Sequence, residues 1–190
     1  MKKITDDLFE KFPTIETERC RLRQVKDEDS KTLFEILSDH ETMKHFGIKL
    51  ATDPAEVSKS IEMRKKGFTE KRGIGWIIAD KQTDQMLGLV NFPFWLRQFY
   101  LSKLSYILHK DFWGKGFMSE VLPYCLNFGF EKMALHRIEA VIDPENIASL
   151  KLVEKIGFKR ECLMIEQGYD FIQQKFNDTY LYCLLKRYMN

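Results

Sequence analysis

Trp113, Gly114, Lys115, Gly116, Phe117 and Met118 form a glycine-bearing turn between two regular segments. Residues 104–108 read as a strand, and 119–133 read as a helix. The first N–H groups of a helix lack intrahelical acceptors, and the helix dipole places partial positive charge there. Such a turn is suited to a phosphate or diphosphate. Glycine at 114 and 116 permits unusual backbone angles and a close approach of ligand to main chain, and Lys115 adds one mobile positive charge. A short Gly-x-Gly also serves as a plain tight connection, so the turn alone does not decide the matter. A Walker A loop requires Ser or Thr after Gly-Lys, and here Gly116 follows Lys115. A dinucleotide fingerprint requires a third glycine, and position 119 is Ser, although Glu139 does lie about 20 residues on.

A second chemical segment lies about 30 residues downstream of the turn, after an expected strand at 137–142. Asn146 is a good helix N-cap, because its side-chain oxygen can accept from the orphan N–H groups of the first turn. Ile147, Leu150, Val153 and Ile156 recur every three residues as an apolar stripe, and Gly157 is placed to end the helix in a left-handed conformation. An ordinary capped amphipathic helix accounts for each of these positions taken singly.

Taken together and in this order, the two segments resemble the GNAT superfamily of acyl-CoA-dependent N-acyltransferases. The family's Gln/Arg-x-x-Gly-x-Gly/Ala turn corresponds to Trp113, Gly116 and Met118. Its downstream Asn-x-x-Ala/Ser-x-x-Leu-Tyr-x-Lys-x-Gly-Phe motif is matched by Asn146, Ser149, Leu152, Lys155, Gly157 and Phe158. The order of elements from about Ile15 to Met189 is also similar to this family. Trp113 replaces the usual Gln or Arg and Met118 the usual small residue, and both changes look like the branch of ribosomal-protein N-terminal acetyltransferases. Many members place Tyr at the position of Val153 to protonate the departing CoA thiolate. In the ribosomal-protein branch a Ser at the position of Ser149 has that task.

The resemblance implies an α/β GNAT fold with a mixed central sheet of about seven strands flanked by helices. It implies acetyl-CoA as co-substrate, lying in a splayed gap between strands that end near Leu108 and Ile142. The turn at Trp113, Gly114, Lys115, Gly116, Phe117 and Met118 would bind the coenzyme, with Asn146 and Ser149 beside it. N–H groups around Ile107 and Leu108 would polarise the thioester carbonyl. Amine acylation needs a neutral amine, a stabilised oxyanion and a proton for the thiolate. Ser149 is the candidate acid. Glu120, in the first turn of the phosphate-binding helix, and Glu166, on an expected strand after residues 162–165, are the candidate bases. Glu120 also suits a purely structural role at the helix dipole, and a water chain could replace either base. Phe92, Phe94, Trp95, Phe99 and Tyr100 are candidates to line an acceptor site but read better as core.

Three functions remain open from the sequence. One is acetylation of a protein N-terminal α-amine. The second is acetylation of a small amine such as a polyamine, amino acid or aminoglycoside. The third is a non-catalytic acyl-CoA-binding protein, to which the missing Tyr at 153 lends weight.

The 190 residues, 44% of them hydrophobic, suit a single domain over 1–190 with residues 1–14 as an N-terminal extension. A formal net charge of +2, from 30 basic and 28 acidic residues scattered together, argues against a nucleic-acid partner. Residues 1–7 lack the apolar run of a signal peptide, and no stretch is long enough to span a membrane. Cys20, Cys125, Cys162 and Cys183 are widely spaced and read as reduced core thiols of a cytoplasmic protein. His40, His45, His109 and His136 show no ligand spacing, so no metal is expected. Edge strands in such a fold commonly pair, which leaves a homodimer open.

The supporting elements are an expected first strand at 16–24 and a helix at 27–38 that buries Leu33, Phe34, Ile36 and Leu37. A second helix starts at Asp53-Pro54, with Glu56 set for a capping box, and runs through Met63 towards Phe68. Strands at 75–79 and 86–94 are joined by a turn at 81–84, and a last strand spans 178–185.

Overall fold

The structure, a computed structural model, describes residues 6–188; residues 1–5, part of the expected extension, and the final Met189 of the expected family match lie outside it. Ten strands form two five-stranded sheets. The first has the order β1 (Ile15–Glu16), β2 (Cys20–Arg23), β3 (Ile74–Asp80), β4 (Met86–Phe92) and β7 (Ser105–Leu108). The second has the order β5 (Trp95–Leu96), β6 (Leu101–Lys103), β8 (Arg137–Ile142), β10 (Lys175–Leu185) and β9 (Lys159–Asp170).

The expected sheet of about seven strands is thus divided, and the division happens at Leu104. Residues 101–103 run parallel to β8, with Lys103 opposite Glu139, and the Leu104 N–H donates to the Glu139 carbonyl at 2.7 Å. From Ser105 onward the same chain pairs antiparallel with β4. One continuous run therefore leaves β8 and joins the other sheet, and the ends of β7 and β8 part.

Helices cover both faces of the first sheet. One face packs on α4 (Phe117–Glu131) through Met118, Val121, Leu122, Cys125, Leu126 and Phe130, in the core that holds Trp76 and Ile78. The other face meets α1 (Ser30–Ser38) and α3 (Pro54–Thr69) through Leu33, Ile36, Val57 and Ile61, which pack with Ile77, Met86 and Leu89. Every residue of β4 is buried, as expected of a strand covered on both sides.

Several local expectations change in detail. The first strand is broken in two because Thr17 N–H and Cys20 C=O close a tight turn at 2.9 Å. Residues 27–29 form a 3₁₀ turn ahead of α1, and a short α2 (His40–Met43) follows it. Asp53 caps α3 by accepting from the Ala55 N–H at 2.8 Å, but the Glu56 carboxylate accepts from the Thr52 hydroxyl instead of closing a capping box. In α5 (Ile147–Ile156) Val153 is buried, whereas Ile147 at the first turn is 54% exposed and leaves the stripe. Three cysteines are buried and Cys162 is exposed, since it lies on edge strand β9. Phe92 and Trp95 join the core, while Phe94 and Phe99 are exposed. Part of the expected N-terminal extension packs against the core: Phe9 and Phe12 meet the Phe68 ring at tilted angles, and the Trp76 indole donates to the Pro13 carbonyl.

Candidate active site

The glycine turn sits where the parted strands leave it. After β7 the chain makes a 3₁₀ turn (Lys110–Phe112), and Gly114 and Gly116 then take φ of 72° and 80°. An L side chain is disfavoured at both angles. Gly116 is the N-cap of α4, and its carbonyl accepts the first helical bond, from the Glu120 N–H. The N–H groups of Phe117, Met118 and Ser119 therefore precede the helical ladder and have no intrahelical acceptor. The Met118 side chain is buried in the core, so the larger residue at this position does not obstruct the turn. Trp113 is half exposed, and its indole donates to the Leu108 carbonyl at 2.9 Å, fastening the turn to the end of β7.

Arg19 holds the turn from outside, and nothing in the sequence pattern indicates it. Its guanidinium donates to the Lys115 carbonyl at 3.0 Å and to the Glu120 carboxylate at 2.6 Å, and lies 4.3 Å from the centre of the Phe117 ring. Glu120 also accepts from the Thr17 hydroxyl and the Arg19 N–H. Burial works to raise the Glu120 carboxyl, but the hydrogen bonds from Thr17 and Arg19 outweigh it and hold the pKa below the ordinary carboxylate value. Glu120 thus joins the β1–β2 turn to the start of α4.

The phase of the β4–β7 ladder fixes which backbone groups face the gap. His109 N–H donates to the Leu87 carbonyl at 2.9 Å, so Ile107 opposite Leu89 and Ser105 opposite Asn91 are the hydrogen-bonded pairs. The N–H groups of Leu108 and Tyr106 point the other way, towards the gap. The Ile107 N–H is committed to β4.

The second motif helix meets this wall. Asn146 caps α5 by accepting from the Ser149 N–H at 3.1 Å, and Gly157 ends the helix at φ of 107°. The Ser149 hydroxyl is 2.6 Å from the Tyr106 hydroxyl. Burial pushes the Tyr106 phenol up to about 12, against the opposing effect of its bond to Ser149. Two hydroxyls, one from each wall of the gap, therefore share a proton-bearing contact, and the phenol stays neutral. Tyr106 carries no motif signal in the sequence.

Beyond the end of β8, against the β9–β10 hairpin, lies a cavity of about 330 Å³. Its wall includes His45, Asp143, Gln167, Asp170, Asn177 and Thr179. His45 Nδ1 lies 2.8 Å from an Asp143 carboxylate oxygen. Glu166 is not part of this wall. It is exposed, at φ of 51°, with its N–H donating to the Asp178 carboxylate at 2.9 Å. The buried thiols offer no nucleophile: burial pushes Cys20 and Cys183 up to about 11 and Cys125 higher still. Among the described residues no cluster of His, Cys, Asp or Glu could hold a metal ion, and no helix is long and apolar enough to cross a membrane.

A profile of the acetyltransferase (GNAT) domain matches residues 19–159, which contain both the glycine turn and the Asn146 helix. The chain belongs to the GNAT acetyltransferase family. Its curated GNAT relatives include the uncharacterized N-acetyltransferases p20 of Bacillus licheniformis and YoaA of Bacillus subtilis. The first is 33% identical, covering 92% of this chain and 97% of the relative; the second is 30% identical, covering 92% and 98%. A shorter match, 30% identical over 44% of each chain, is to the ribosomal protein uS5 alanine N-acetyltransferase of Escherichia coli. Among solved structures, the ribosomal L7/L12 α-N-protein acetyltransferase RimL with coenzyme A has a TM-score of 0.81 at 16% identity, covering 91% of this chain and 98% of RimL. The spermidine N-acetyltransferase of Vibrio cholerae, with CoA and spermine, has a TM-score of 0.79 at 19% identity, covering 90% and 97%. At these identities the two structures establish a shared GNAT fold. The chain is an acetyltransferase of this type.

Proposed function

We propose that the protein transfers an acetyl group from acetyl-CoA to a protein N-terminal α-amine by direct attack of the amine on the thioester. The observation that carries this reading is the alignment of three features at one pair of parted strand ends. These are the uncommitted N–H groups opening α4, the outward Leu108 N–H, and the Ser149–Tyr106 hydroxyl pair.

The chain's residues fit the coenzyme. Phe117, Met118 and Ser119 offer backbone N–H groups to its diphosphate at a positive helix end, with Lys115 and Arg19 nearby. Tyr106 and Leu108 present an unpaired strand edge along which an extended amide chain can add. The Leu108 N–H donates to the carbonyl oxygen as negative charge develops there. Ser149 hands its proton to the departing thiolate, and the Tyr106 hydroxyl relays a replacement, the second proton that the acylated nitrogen loses. No covalent enzyme intermediate is required. Likeness to the uS5 and L7/L12 acetyltransferases supports the α-amine as acceptor.

A small polyamine is the second reading. Two carboxylates, Asp143 and Asp170, line the cavity and would suit a polycation, and the spermidine acetyltransferase shares the fold.

Thermal unfolding with acetyl-CoA, CoA and NAD tests the coenzyme. A ligand at about 100 times its Kd stabilises by roughly 2.7 kcal/mol, several degrees for a chain of this size. A shift with acetyl-CoA and none with NAD is expected; no shift at millimolar acetyl-CoA would overturn the reading. Thiol release with Ala- and Ser-initiated peptides, compared with spermidine, then separates the two acceptors.

A further inference from the structure

The segment between α1 and α3 closes over both parted strand ends. Asp39, the N-cap of α2, bonds through its carboxylate to Lys110, two residues beyond β7, at 2.7 Å. His45, just after α2, bonds to Asp143, the residue after β8, at 2.8 Å. One short stretch of chain therefore touches the ends of both gap walls, and its imidazole lines the cavity beyond them. His45 and Asp143 are only 19% and 16% exposed at their side chains, whereas most ion pairs of this protein are far more solvated.

We propose that His45 is the general base that removes the proton from the acceptor ammonium, with Asp143 as its positioning residue. This rests on the acetyl-transfer reading above. The Nδ1–H donates to the Asp143 carboxylate, which fixes the ring and leaves the Nε2 lone pair as the acceptor. The ammonium gives one proton to Nε2 and becomes a neutral amine. Its nitrogen lone pair forms the new N–C bond, the C–S bond breaks with its electrons on sulfur, and Ser149 supplies the thiolate's proton. The second proton that the acylated nitrogen loses replaces it through the Tyr106–Ser149 pair. The proton held by His45 passes to solvent, so the sum is one amide, one thiol and one released proton.

The titratable groups around the ring in the cavity wall are Asp143 after β8, Asp170 and Tyr169 on β9, and its neighbour Lys44. Asp170 is committed to the N–H groups of Ile172 and Gln173, at 2.7 and 2.9 Å. Asp143 is thus the carboxylate that orients the imidazole. Lys44 is paired with Glu41 at 2.9 Å.

The test is a pH–rate profile of His45→Gln, with Ala- and Ser-initiated peptides as acceptors. General-base removal is expected to cost about 100-fold or more in kcat/KM. The acidic limb of the wild-type profile should vanish, and added imidazole should restore part of the rate in His45→Ala. Asp143→Asn should lower the rate about tenfold while keeping the limb. His40→Gln, on the exposed side of α2, should change neither. Acetyl-CoA should raise the melting temperature of every variant as it does that of the wild type. Long-range ¹H–¹⁵N NMR gives a readout independent of any acceptor: the neutral His45 ring should carry its proton on Nδ1. A His45→Gln enzyme within twofold of wild type and with the same limb would overturn the inference and leave acetyl transfer standing, as would an Nε2–H tautomer. A wild-type protein that acetyl-CoA does not stabilise would overturn both.

Discussion

The two sides of the gap are built on different principles. On the donor side, the glycine turn and the free strand edge come from one run of chain, 105–120, and most of the groups this run offers are backbone N–H. On the side proposed for the acceptor, the cavity wall is assembled from four separate segments, around residues 44–47, 141–143, 167–170 and 177–179, and side chains such as His45, Asp143, Gln167 and Thr179 line it. A diphosphate is always the same ligand, so a fixed main-chain cradle serves it. An acceptor amine differs from one family member to another, and side chains that line the cavity can change without disturbing the cradle.

Substitutions that act on one side and spare the other can break this contrast. Gly116→Val should have the largest effect. A β-branched residue at φ of 80° costs about 1–2 kcal/mol in backbone strain alone and turns the first N–H groups away from the ligand. Acetyl-CoA affinity measured by calorimetry should fall about 100-fold. A change below threefold would remove the turn from coenzyme binding.

Ser149→Ala comes next, with kcat about 10- to 100-fold lower and acetyl-CoA affinity within a few-fold. Tyr106→Phe should act through the same contact, so the double variant should be little worse than Ser149→Ala. Full additivity would mean that the two hydroxyls act separately, and unchanged turnover would dismiss Ser149.

A smaller effect is expected on the other side. Thr179 is buried and donates to the Gln167 side chain at 2.9 Å in the cavity wall. Thr179→Val should raise the acceptor KM about three- to tenfold and leave acetyl-CoA affinity as it was. Coupled losses on both sides would show that the walls are not independent.

The smallest expected effect is on stability, at the clamp behind the turn. Glu120→Gln should lower the melting temperature by a few degrees at pH 7. The folded-state pKa of Glu120 is depressed, so its contribution is present above the ordinary value of 4.5 and lost as pH falls through the folded value. The gap between variant and wild type should therefore close on acidification below that value. A pH-independent difference would assign the loss to geometry instead of charge.

The two motif segments were legible in the sequence because their signals are local. Asn146 as cap, Gly157 at its left-handed end and β8 at Arg137–Ile142 follow from residues within a few positions of one another. The Asp53-Pro54 start of α3 is of the same kind. The pairs that complete the site are not local: Arg19 with Glu120 is 101 residues apart, His45 with Asp143 is 98, and Tyr106 with Ser149 is 43. Arg19, His45, Asp143 and Tyr106 are unremarkable polar residues until the fold brings them to their partners. The division of the sheet was hidden for a similar reason. The strand read at 104–108 continues an extended run that begins at Leu101, and only the identity of the neighbours reveals that the chain changes sheets at Leu104. Glu166 shows the limit of counting register along a strand: the left-handed residue and the shift between Asn177 and Thr179 interrupt β9 where the alternation would have placed it.

The two bonds made by the segment after α1 have a consequence for chain length. Asp39 and Lys110 mark one jaw of a caliper, and His45 and Asp143 mark the other. A single-turn helix, rising about 1.5 Å per residue, sets the distance between the jaws. Surface connections ordinarily tolerate an added or missing residue, but here one inserted residue would rotate His45 by about 100° and pull it from Asp143. The length of this stretch is therefore as constrained as the identities of Asp39 and His45 at its two ends.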